Sequence, residues 1–337
     1  MPDKQKRVSL PSLLKIVAGV VLFVLSLWGI HWAQLIEALT TVNVAWLLVA
    51  LISMAFSLFV KAYRWKVLLR NYGVEFSMLR VCEAFFIGLI VNLLTPARGG
   101  DIARIGILGM HQPKATVPIV ATVAIEKFLD LLTLVLIALM VAAYLPPEGE
   151  LWLREWLLPI SGTALVGLLM IVAFGPKLWK RIGPNLEKST RPWVLRGVGW
   201  INNFVESSLW LRDTSHLFPV LGITLVVWFS MWLNNDILFR SLALKMPLSA
   251  GWLVLVLGYV RMLLALPTSS VGPFYFFAQL SVTTFGVGDE SALAFAILLH
   301  AIVTLTPIVV GGGLLLISDD ARNLMNSVWK SNAAKTD

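Results

Sequence analysis

About six runs of apolar residues, at 14–32, 44–62, 116–144, 157–175, 217–239 and 290–317, are long enough to cross a bilayer. Hydrocarbon holds no water to satisfy a free amide, so runs of this length close their hydrogen bonds internally as helices. The chain therefore reads as an all-α, polytopic helical membrane protein, a single transmembrane domain over 1–337. Its mean hydropathy of +0.82, with only 14% charged residues, excludes a soluble core. One cysteine, Cys82, allows no internal disulfide, and four histidines without a Cys/His cluster give no metal-ligand spacing. No cofactor and no nucleic-acid partner is expected.

Two further apolar runs are broken. Residues 84–94 end in Thr95-Pro96-Ala97-Arg98-Gly99-Gly100, and residues 252–266 carry Arg261 and end in Pro267-Thr268-Ser269-Ser270-Val271-Gly272-Pro273. Short apolar segments interrupted by Pro and Gly read as re-entrant hairpins, because freed backbone groups need protein or a watery cavity around them. If both turn back, both termini and most of the 27 basic residues lie in the cytoplasm, and the loop with Glu148, Glu150 and Glu155 lies outside. Full crossing by both segments is the competing topology, and it exports Arg98, Arg104 and Lys114. Between the spans, Trp193, Trp200, Ile201, Phe204 and Leu211 fall near one helical face, which predicts an amphipathic interfacial helix at about 192–212.

The chain also resembles itself. Leu68-Leu-Arg-Asn-Tyr-Gly-Val-Glu-Phe-Ser77 is similar to Leu238-Phe-Arg-Ser-Leu-Ala-Leu-Lys-Met-Pro-Leu-Ser249, and each stretch precedes a broken segment. Arg70, Pro96, Gly100 and Lys127 recur as Arg240, Pro267, Gly272 and His300, each spacing longer by one residue. Two halves, about 10–145 and 155–318, thus share a layout, and the topology above inverts one relative to the other. Inverted repeats with discontinuous segments are a transporter architecture, since exchanging the halves' conformations exchanges access.

Three ionisable groups interrupt the run 116–144. Glu126 and Asp130, at i and i+4, share a helical face, with Lys127 about 100° away. A charge at the bilayer centre costs about 2.5–3.5 kcal/mol on insertion scales, so all three need partners or a wet cavity. They read either as coupling or gating groups or as a structural salt-bridge lock to Arg98, Arg104 or Arg261; a lock that opens is a gate. Arg98, Gly99, Gly100 and Arg104 sit where a broken helix restarts, a place suited to an anion because backbone N–H groups and a guanidinium fork converge there. Arg104 has a second reading, snorkelling to lipid headgroups. Arg261 calls for a carboxylate or phosphate nearby. Ser269, with Thr268 and Ser270, offers hydroxyls to a headgroup or satisfies broken backbone. His300 reads as a group titrating near neutral pH or as a buried structural donor. No G-x-S-x-G, P-loop or H-E-x-x-H motif is present, so no catalytic residue is assigned and no enzyme is expected.

Asn92-Leu-Leu-Thr-Pro-Ala-Arg-Gly-Gly-Asp-Ile-Ala-Arg104, then Glu126-Lys-Phe-Leu-Asp130, Leu266-Pro267 through Gly272, and Gly311-Gly-Gly313 resemble the flippase-like transmembrane family. That family is the membrane part of lysylphosphatidylglycerol synthases and also occurs as stand-alone proteins. The resemblance covers about residues 10–318. It departs at Val271-Gly272-Pro273-Phe274-Tyr275-Phe276, where the family has a longer Gly-rich turn followed by an acid, and at Lys127 and His300, where arginine is usual. The synthases append a soluble aminoacyl-transfer domain, whereas residues 318–337 are all that follow the last span here.

The resemblance implies lipid handling without lipid synthesis. The expected function is translocation of an anionic phospholipid or lipid-linked phosphate across the cytoplasmic membrane, its headgroup held by Arg98, Lys127, Arg261 and His300. Movement would be downhill or coupled to protons through Glu126, Asp130 or His300. Two other classes compete: a secondary transporter of a small anion, and a lipid-binding scaffold that recruits a partner enzyme through the interfacial helix. Lateral openings to lipid favour the first reading, an aqueous vestibule the second and a dry, salt-bridged centre the third. No feature of the sequence selects an oligomeric state.

Overall fold

The computed structural model describes residues 10–94, 99–145, 151–187, 191, 198, 214–263 and 271–317, and the regular structure among them is helical. In chain order the helices are α1 (Leu10–Leu27), α2 (Trp32–Thr40), α3 (Val44–Asn71), α4 (Met78–Leu94) and α5 (Gly100–His111). A 3-10 turn (Pro113–Ala115) leads into α6 (Thr116–Tyr144) and α7 (Leu151–Glu187). Then come α8 (Thr214–Ser241), α9 (Leu248–Leu263), α10 (Gly272–Thr283) and α11 (Asp289–Ile317). The turns at Pro96 and Pro267, Arg98 and Ser269, and the expected interfacial helix apart from Val198 all lie outside the described residues.

Among the described residues, four helices are long and apolar enough to cross a membrane, spanning Val44–Asn71, Leu153–Gly175, Ser215–Ser241 and Asp289–Leu316, or five if the bent pair α1 and α2 counts as one span. The expected six is met only in part. The sequence run 14–32 does not become a straight span: the chain turns by 80° between α1 and α2, where Gly29 takes a φ of +76° that suits a residue without a Cβ. His31 then bonds Glu290 at the start of α11, Nδ1 to Oε1 at 2.8 Å, fixing the bend. The run 116–144 forms α6, whose 29 residues extend roughly 43 Å, more than the ~30 Å hydrocarbon core. Glu126, Lys127 and Asp130 interrupt its apolar sequence.

Each broken segment is a pair of short helices packed together, α4 with α5 and α9 with α10. The arms have 17 and 12 residues in the first and 16 and 12 in the second, below the ~20 a straight span needs. Helix lengths in the two halves run in parallel: α3, α4, α5 and α6 have 28, 17, 12 and 29 residues, and α8 to α11 have 28, 16, 12 and 29.

Packing follows the same correspondence, since α4 lies on α11 while α9 lies on α6. Helices α3 and α8 run antiparallel: Asn43 N–H donates to Ser241 O at 2.8 Å at one end, and Asn234 Nδ2 donates to Ala50 O at 2.7 Å further in. Both end in the same turn. Gly73 N–H bonds Arg70 O and Val74 N–H bonds Leu69 O, at 2.9 and 3.0 Å; Ala243 N–H bonds Arg240 O and Leu244 N–H bonds Phe239 O, at 3.1 and 2.9 Å.

The core lies between α3, α4, α8 and α11, with Trp65, Phe86, Phe239 and Phe295 fully buried. Outward faces carry Ile52, Phe56, Ile160 and Leu225. An apolar exterior of this extent suits acyl chains as solvent.

Candidate functional site

The site begins where α5 restarts the chain after the break. Gly100 N–H donates to Asn92 Oδ1 at 2.9 Å, so one of the free amides of the restarting helix is taken by its own hairpin. A Cβ at Gly100 would overlap the Gly88 carbonyl and the Asn92 side chain, so the crossing of α4 and α5 depends on glycine. Gly99 lies one residue before, at the N-cap.

This seating places Arg104 one turn later against α6. Arg104, 3% exposed, grips Glu126 with both ends of its fork: Nη1 to Oε2 at 3.1 Å and Nη2 to Oε1 at 3.0 Å. Its Nη2 also lies 2.9 Å from Asp101 Oδ1, and Asp101 Oδ2 lies 3.1 Å from Lys127 Nζ at the exposed edge. The guanidinium stacks 4.7 Å from the centre of the Trp65 ring, and Trp65 Nε1 is anchored to Thr122 Oγ1 at 3.1 Å. A bidentate pair with a second carboxylate and an aromatic face is the arrangement that keeps a buried arginine charged.

Helix α3 contributes a second cation. Arg64, fully buried, donates from Nη1 to Asp130 Oδ1 at 2.7 Å and to Thr224 Oγ1 of α8 at 3.3 Å. Its Nε and Nη2 have no hydrogen-bond partner among the described residues. The polar centre therefore joins α3, α5, α6 and α8.

The second half places its chemistry differently. Tyr275 Oη lies 3.0 Å from His300 Nδ1, and the Phe274 ring lies 4.7 Å from the His300 ring and 4.5 Å from the Arg261 guanidinium. Arg261 Nε donates to Gly258 O at 3.5 Å. A cavity of about 30 Å³ beside Arg261, lined also by Val254, Gly258, Phe274, Ala278 and Leu299, has room for a water rather than a headgroup.

Of the residues expected from the sequence, Gly99, Gly100, Arg104, Lys127, Glu126 and Asp130 thus gather around α5 and α6. Arg261 and His300 form a second group on α9 and α11. Arg64 was missed as a site residue: the sequence places it in a cytoplasmic flank after 44–62, yet α3 continues to Asn71 and buries it. The available signal was the spacing Lys61-Ala-Tyr-Arg64-Trp65, with apolar residues resuming at Val67-Leu68-Leu69.

Comparison with known proteins adds two findings. The model of a family described as the lysylphosphatidylglycerol synthase TM region matches residues 12–311. A UPF0104 membrane protein of Pyrococcus horikoshii is 25% identical over 134 residues, which cover 39% of this chain and 40% of that protein. The match thus spans well under half of that relative's length.

Proposed function

We propose a function from one premise: this chain belongs to the family of the lysylphosphatidylglycerol synthase transmembrane region. It is a multi-pass membrane protein. On our reading it is a carrier, not an enzyme, and moves an anionic phospholipid or lipid-linked phosphate across the cytoplasmic membrane, with both termini inside. The observation that carries the reading is the Arg104–Glu126 pair, which ties the restarting arm of a broken segment to α6. A lipid phosphate presents the same two-oxygen edge as Glu126, so it can replace that carboxylate on Arg104 without leaving the guanidinium unpaired. Glu126, released, is then free to take a proton or turn toward Arg64.

The two halves are read as inverted repeats around this centre. Support comes from the matched helix lengths, the antiparallel α3 and α8, and the exchange of packing partners between α4 and α9. Both hairpins are read as re-entrant. A second reading, a lipid-binding scaffold for a partner enzyme, is favoured by the closed, salt-bridged state of the centre.

Reconstitution of the full chain into liposomes with labelled phosphatidylglycerol or labelled phosphatidylcholine tests the carrier. Phosphatidylglycerol should cross about tenfold faster than in protein-free vesicles, and faster than phosphatidylcholine, a gap of about 1.4 kcal/mol in barrier. Equal movement of both lipids would remove the anionic substrate. No movement above protein-free vesicles would leave the scaffold.

A further inference from the structure

Beside the Arg104–Glu126 pair the structure closes a ring of hydrogen-bond donors. Arg64 touches Thr224 at 3.3 Å. Thr224 and Trp228 lie one turn apart on the same face of α8. Trp228 packs on Tyr259 of α9 with ring centres 5.0 Å apart. Tyr259 Oη accepts from Lys61 Nζ at 3.4 Å, and Lys61 is one turn from Arg64 on α3. Arg64 and Trp228 are buried to within 1%, whereas Lys61 and Tyr259 are partly exposed. The first two form a floor and the last two a rim.

The ring has more donors than acceptors. Arg64 Nε and Nη2 and Trp228 Nε1 are buried without a hydrogen-bond partner among the described residues. Nε and Nη2 make up one whole edge of the guanidinium, the parallel pair that matches two oxygens of one anion. Trp N–H donates only, and ammonium donates only. Asp130 is the carboxylate in contact with Arg64, and it engages the opposite nitrogen, Nη1. Glu126 is already held by Arg104. A buried donor left unmet is costly, and more so when charged, so a group that accepts several bonds at once belongs here.

We propose that Arg64, Trp228, Lys61 and Tyr259 form a phosphate site: the open guanidinium edge takes the two non-ester oxygens, Trp228 donates to one of the same oxygens, and the Lys61–Tyr259 bond opens to admit the group. The shared chemistry is a phosphate monoanion or dianion, from a lipid headgroup or from free phosphate. Preference for the lipid as source rests on the carrier reading above. The ring is distinct from the Arg104 pair and lies next to it through Asp130 and Glu126, four residues apart on α6. A headgroup leaving Arg104 would find a second seat across the same helix face.

The test is binding to the purified full chain in phosphatidylcholine nanodiscs, with phosphatidylglycerol and inorganic phosphate as separate probes. Arg64→Lys keeps the charge and loses the fork; Lys61→Gln and Tyr259→Phe alter the rim and leave the Arg64–Asp130 pair intact. Phosphatidylglycerol should bind wild type, and Arg64→Lys and Lys61→Gln should each weaken it about tenfold. Phosphate binding with the same sensitivity to the variants would support the site and make free phosphate a source; phosphatidylglycerol binding without phosphate binding would make the source lipid. If Arg64→Lys fails to fold, Lys61→Gln decides. Binding unchanged in every folded variant, or no binding of either probe to wild type, overturns the proposal. Binding lost in the variants while wild type moves no lipid would retain the site and refute the carrier; anionic-selective transport with unchanged variant binding would do the reverse.

Discussion

Without Glu126, Arg104 would keep Asp101 and the Trp65 face but lose its bidentate partner while 3% exposed. Breaking one side of a buried pair typically costs about 3–5 kcal/mol, because the remaining charge stays desolvated. Glu126→Gln should therefore lower the thermal midpoint of the detergent-solubilised protein sharply, and Glu126→Gln with Arg104→Gln should recover part of the loss. The two changes should be non-additive in a double-mutant cycle; additive losses would mean the residues do not act as a pair. Glu126 and Asp130 were legible as candidates because carboxylates in an apolar run need a reason. Arg64 was not, since an arginine just past a run of about 20 apolar residues looks like a cytoplasmic flank until the helix is seen to continue. Arg98 and Ser269, both expected to touch a headgroup, lie outside the described residues.

Gly100 and Gly272 occupy the same place at the element scale, each the first residue of a restarting helix. Each is required by a backbone neighbour, but not the same one: Gly88 of α4 faces Gly100, and Gly19 of α1 faces Gly272. Gly100→Ala should force α4 and α5 apart and lower the yield of folded protein, whereas Gly106→Ala, where the Cβ meets open space, should match wild type in size-exclusion profile and thermal midpoint. Similar behaviour of both variants would contradict the close approach. The glycines of the two breaks were readable from their spacing, as were the short arms. The bend after α1 was not, because Gly29 lies inside an unbroken apolar run and its turn is set by the contact of His31 with Glu290. The paired turns at Gly73 and Ala243 explain the sequence similarity after Arg70 and Arg240. Ala243, at φ 54°, adopts there the left-handed conformation that its counterpart adopts as glycine.

For the whole molecule, composition was enough to set the class, and the repeat was enough to anticipate two sets of helices of matched length. It did not anticipate that the halves would differ so much in chemistry. The first half holds two neighbouring buried pairs, Arg64–Asp130 and Arg104–Glu126, while the second offers Arg261, His300 and Tyr275 around Phe274. Similarity of spacing preserves helix length and packing, whereas charge pairs are set by single residues that the repeat does not constrain.

In the proposed carrier cycle, α5 parts from α6 when a lipid phosphate replaces Glu126 on Arg104. With Cys82 replaced by Ser, Asp101→Cys and Lys127→Cys place thiols on the two side chains that meet at 3.1 Å across that seam. A short, cleavable thiol cross-linker then holds α5 to α6 in proteoliposomes carrying labelled phosphatidylglycerol. The account predicts that cross-linking stops transport and that cleaving the linker restores it to the rate of the untreated double variant. Full transport with the link in place would contradict it.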